Sequence, residues 1–75
     1  MMNPTEIKKR SVVLAGHRTS VSLENAFWDA LREIASKAGI SVNTLVARID
    51  AERSGNLSSA IRTSVLLHYR KTEPQ

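Results

Sequence analysis

At Leu23–Glu24 the hydrophobic period of the sequence changes abruptly, with no loop between the two patterns. From His17 to Leu23 (HRTSVSL), Arg18, Ser20 and Ser22 alternate with Thr19, Val21 and Leu23, the period of a strand with one face buried. Directly after it, Ala26, Phe27, Ala30, Leu31, Ile34, Ala35 and Ala38 recur at the 3.6 period of an amphipathic helix. A strand that feeds straight into a helix must turn its apolar face toward that helix. So short a strand also needs a partner strand, and a second copy of the chain is the expected source.

With 75 residues the chain is one thin domain, which by itself has little core to bury. It has no cysteine, so neither a disulfide nor a thiolate metal site can supplement that core. His17 and His68 are far apart and lack carboxylates at ligand spacing, so no metal or other cofactor is expected. Oligomerisation is the remaining supplement. The net charge of +4, from 11 basic against 7 acidic residues, favours a polyanionic partner, nucleic acid before membrane. There is no apolar run of membrane-span length and no signal-peptide pattern, which predicts a cytoplasmic protein.

Around the central pattern, residues 1–9 read as a flexible basic arm, and Ser11–Leu14 as a second β-prone run. Ala15-Gly16 between the two runs suggests a hairpin, in which case a paired ribbon of two copies would have four strands. The first helix should span about Glu24–Ala38 and stop at Gly39. Ser41 should cap a second helix with an apolar stripe of Val42, Leu45, Val46 and Ile49, ending near Arg53. A third helix follows from about Leu57, with Leu57, Ile61, Val65 and Tyr69 recurring every fourth residue, and residues 71–75 read as a disordered tail. The domain proper is therefore expected over 10–70. Trp28, beside the apolar stripe, is read as a dimer or third-helix contact, and His68 as a packed residue.

The alternating strand entering a helix, Gly39 between the helices and Ser41-Val42-Asn43 opening the second one resemble the ribbon-helix-helix family of the Arc and MetJ repressors. The HRTSVSLENAFWDAL block, with GNLSSAIR later, is similar to a small bacterial subfamily with an added N-terminal run and C-terminal helix. The resemblance covers about Arg18–Arg53. It implies a mostly α, intertwined homodimer whose β-ribbon enters the DNA major groove. It places the base-reading positions on Arg18, Ser20 and Ser22, where an arginine can bridge guanine O6 and N7. It places a phosphate clamp at the start of the second helix, on Ser41, Val42 and Asn43. Lys8, Lys9 and Arg10 would add sequence-independent phosphate contacts. Thr19, Val21, Leu23, Phe27, Leu31, Leu45 and Ile49 would form the dimer core. Arg62, Arg70 and Lys71 are expected to lie too far from the ribbon to touch DNA.

The expected function is that of a transcriptional repressor or autoregulator binding double-stranded DNA. An antitoxin would need a free C-terminal segment to wrap its toxin, and the third helix argues against one. A dimeric protein-interaction module would expose the Leu57–Tyr69 stripe as its docking surface. No nucleophile–base set, metal-ligand spacing or phosphate-cradling glycine loop is present, so no catalysis is expected.

Overall fold

A computed structural model describes residues 3–72. In chain order it contains β1 (Ile7–Leu14), β2 (His17–Glu24), α1 (Asn25–Ala38), α2 (Val42–Glu52) and α3 (Leu57–Thr72). β1 and β2 pair antiparallel along their full length, from Ile7 opposite Glu24 to Leu14 opposite His17. The turn between them is Ala15-Gly16, with φ of 51° and 79°. Two positive φ values match the twist of the flanking strands, which is why so short a connection can close the hairpin.

The hairpin is thus made inside one chain, with β1 along one edge of β2 and the other edge of β2 not paired to a strand among the described residues. Two expectations about the chain's ends are corrected. Residues 7–9 belong to a strand and not to a flexible arm, and α3 carries Lys71 and Thr72 in place of a tail beginning at 71. The first and last few residues of those two segments, 1–2 and 73–75, lie outside the described residues.

Every element contributes to one core. Val12 comes from β1, Val21 and Leu23 from β2, Leu31 from α1, Val46 from α2, and Ile61 and Val65 from α3. Leu23, Leu31, Val46 and Ile61 are completely inaccessible. Val21, Leu23 and Leu31, expected to be buried by a dimer, are therefore already buried within one protomer, because α3 covers them. Phe27, Leu45 and Ile49 are half-buried against the same cluster. Thr19 is exposed, since it borders an uncovered cleft along β2. The Leu57–Tyr69 stripe likewise faces its own core, which overturns its reading as an exposed docking surface; the exposed apolar residues of α3 are Leu66 and Leu67.

The helix ends follow local chemistry. Gly39 takes the left-handed conformation (φ 71°) and its N–H donates to Ser36 O, while Ile40 N–H donates to Ala35 O, closing the last turn of α1. Asn56 caps α3, its Oδ1 accepting from Ser59 N–H at 2.9 Å. Among the described residues, no helix is long and apolar enough to cross a membrane, and no group of histidine and acidic side chains could hold a metal ion.

Candidate nucleic-acid interface

Residues directly opposite one another in an antiparallel pair project to the same face. Val12, Val21 and Leu23 define the core side of the ribbon. The other side therefore carries Arg18 with Val13, Ser20 with Ser11, and Ser22 with Lys9, rung by rung. All six are exposed. The Arg18 guanidinium, the Lys9 ammonium and the hydroxyls of Ser11, Ser20 and Ser22 make no hydrogen bond or ion pair among the described residues. An open face with donors and acceptors of this kind can address base edges or phosphates; a lone apolar group such as Val13 can meet a thymine methyl.

Arg18, Ser20 and Ser22 are thus brought together on one side. Ser11 and Val13 complete the same face and escaped the sequence reading. Counting back across Ala15-Gly16 from Arg18 would have found them, because a two-residue turn fixes the register.

The basic run divides. Lys9 points outward with Ser22, whereas Lys8 and Arg10 fall on the core-side register. Arg10 is half-buried: its Nη2 donates to Asn25 Oδ1 at 3.0 Å and its guanidinium lies 4.9 Å from the Trp28 ring centroid. Its Nε is buried without an acceptor. These contacts hold Arg10 against α1 on the core side of the ribbon, away from the face that carries Lys9. Trp28 accordingly pairs with Arg10 while packing against the core.

Asn25, itself 1% exposed, completes this network by donating Nδ2 to Asn3 O at 2.9 Å. The preceding chain also caps α1 with its backbone, since Asn25 N–H donates to Glu6 O and Ala26 N–H to Pro4 O, both at 2.9 Å. Ser22 is therefore free of any capping duty. Glu24 accepts from Arg62 Nε at 2.9 Å, and chiefly this hydrogen bond holds its carboxyl below the usual carboxylate range.

At the start of α2, Ser41 Oγ accepts from Thr44 N–H at 3.0 Å, the expected cap. The backbone N–H groups of Val42 and Asn43 have no acceptor among the described residues, so the positive end of the helix is open to an anion. The Asn43 side chain is engaged elsewhere. Its Oδ1 accepts from Val13 N–H and its Nδ2 donates to Val13 O, each at 2.8 Å. That double contact turns the amide toward β1, and it fastens the start of α2 beside the outer edge of that strand.

The two histidines play no part in this face. His17 is exposed and opens β2, and His68 is half-buried, edge-on to Tyr69 at 5.3 Å between centroids. Along the outer edge of β2 runs a cleft of about 420 Å³, bordered by Thr19–Ser22, Leu57 and Ser58. Ser58 Oγ reaches across its end to Ser22 O at 2.8 Å.

Comparison with known proteins fits this geometry. A family model described as a ribbon-helix-helix domain matches residues 7–69, the span from the start of β1 to the last turn of α3. Among solved structures, the chain is similar to an uncharacterized protein from Bordetella pertussis Tohama I, with 33% sequence identity and a TM-score of 0.78. The likeness covers 89% of this chain but 58% of that protein, so the chain spans little more than half of its structural relative. No curated protein matches it.

Proposed function

The chain belongs to the ribbon-helix-helix domain family, and from that premise we propose that it is a homodimeric, sequence-specific DNA-binding protein acting as a repressor or autoregulator in the bacterial cytoplasm. Ribbon-helix-helix proteins are typically non-enzymatic regulators that bind DNA as dimers. The observation that carries the reading is the outer face of the ribbon, where Arg18, Ser20 and Ser22 stand exposed and uncommitted opposite Val13, Ser11 and Lys9.

Two copies join through the outer edges of β2, around Ser20. The resulting sheet has four strands and is about 14 Å across its backbones at ~4.8 Å per strand, wider than the ~12 Å major groove. Only the two central β2 strands therefore enter the groove. Arg18 bridges a guanine, which discriminates by roughly 1–3 kcal/mol, and Ser20 and Ser22 add weaker hydrogen bonds. The flanking β1 strands sit over the groove walls, where Lys9 meets phosphate. Outside them, the open N–H groups of Val42 and Asn43 at the start of α2 grip the backbone. The burial of Ile61 and Val65 weighs against the antitoxin alternative, because α3 is part of the core and not a segment available to wrap a toxin.

Selection of bound sites from a randomised duplex pool, followed by titration of variants, tests this reading. Arg18→Ala should lose affinity mainly for the selected site. Lys9→Ala should weaken all duplexes alike and reduce the slope of log K against log salt by about one. Absence of any gel shift at low salt refutes the proposal, and identical behaviour of the two variants refutes the division of labour.

A further inference from the structure

The two outer edges of the ribbon are treated differently. In an antiparallel strand the N–H and C=O of one residue point to the same side, and successive residues alternate. Both groups of Val13 go to Asn43, so they point away from β2. By alternation, the outward groups of β1 are those of Ile7, Lys9, Ser11 and Val13, and those of β2 belong to Arg18, Ser20, Ser22 and Glu24. The acceptance by Ser22 O of the Ser58 hydroxyl agrees with this assignment. The N–H and C=O groups of Ser20 then border the cleft, and those of Arg18 lie further along the same edge.

On β1 the Asn43 amide offers Val13 one acceptor and one donor, the same complement that a residue of a neighbouring strand would offer. It does so on the half of β1 that needs covering. The first half carries the exposed Lys8 and Lys9, charges that discourage edge-to-edge pairing; the second, Ser11-Val12-Val13-Leu14, carries none and holds two adjacent valines.

We propose that Asn43 acts as an edge stopper, closing β1 to strand addition so that assembly through the sheet ends at two copies. This role rests on the β2-to-β2 pairing proposed above. That contact is isologous and uses up the β2 edge of both copies, with Ser22 O, which already accepts from Ser58, offering its second lone pair across the pair. A β1-to-β2 contact would be heterologous, would leave a fresh edge after each addition, and would run on into filaments. One side chain on α2 thereby decides between a closed dimer and an open polymer.

The test is sedimentation velocity and light scattering of the intact chain over a range of concentrations. Wild type should be a dimer. Asn43→Ala should keep its helical circular dichroism yet reach an average mass about twofold or more above the dimer as concentration rises. Adding Val13→Pro should restore the dimer, because proline removes the outward N–H of an edge position without touching the bonds to β2. If Asn43→Ala loses its helical signal, Asn43→Ser, too short to span both groups of Val13, is measured in its place. A dimeric wild type whose Asn43 variants also remain dimeric overturns this inference alone, as do larger species that Val13→Pro leaves in place. A monomeric wild type overturns the β2 pairing, and the stopper with it.

Discussion

Truncation of Ile61 to alanine probes whether α3 completes the core of a single protomer. Ile61 is fully buried against residues of the other elements. The substitution removes three carbons, a transfer loss of ~2.4 kcal/mol at ~0.8 kcal/mol per methylene. If about half of the vacated volume persists, roughly 40 Å³ of cavity adds ~1 kcal/mol at ~24 cal/mol per Å³. The expected cost is thus about 3–4 kcal/mol, close to the whole net stability of ~3–5 kcal/mol that so small a core supplies. With a urea m-value of ~1 kcal/mol/M for a chain of this size, the midpoint should fall by roughly 3 M, followed by circular dichroism at 222 nm. Leu66→Ala, on the same helix but at a side chain 54% exposed, should change stability by less than about 0.5 kcal/mol. If the Ile61 variant shifts by under about 1 M, or the two variants shift alike, α3 is not a core element and the account of the fold fails.

Three further outcomes follow from local geometry. Gly39→Ala places a Cβ at φ 71° and should cost roughly 1–2 kcal/mol in urea unfolding, although open space surrounds the site. Ala15→Gly relieves the φ of 51° at the turn and should raise the melting temperature, whereas Ala15→Val should lower it. The Glu24 carboxyl is held below its ordinary pKa by Arg62, so its contribution is fully present above that ordinary value and is lost as pH falls through the lower folded one. Acid titration of stability should therefore be shallower in Arg62→Met than in wild type, and superimposable curves would show that the pair does not contribute.

Much of the architecture is legible in the sequence alone. The change of period at Glu24, the glycine stop at Gly39 and the Ser41 cap are local signals, and each sits where a short-range rule puts it. The composition of the ribbon's outer face is half legible, because Arg18, Ser20 and Ser22 alternate within one strand. What escapes depends on contacts between distant residues. Three consecutive cations look like a solvated arm until pairing with β2 separates Lys9 from Arg10. Arg10 becomes internal only because Asn25 and Trp28, more than a dozen residues away, meet it from α1. Asn43 resembles a helix-start residue awaiting phosphate, and nothing near it in sequence announces that Val13 will occupy its amide. The role of α3 is hidden for a similar reason, since an amphipathic stripe does not reveal whether it covers its own chain or another.

The hairpin also bears on how the protein comes into being. When a ribbon is assembled from one strand per molecule, its formation is second order, and a newly made polypeptide must find a mate before its sheet exists. Here β1 and β2 are joined by two residues, and α3 follows on the same polypeptide. Ribbon closure is consequently a unimolecular, short-range event on the microsecond scale of hairpin formation. A nascent chain leaving the ribosome can therefore close its hairpin before it meets a second copy.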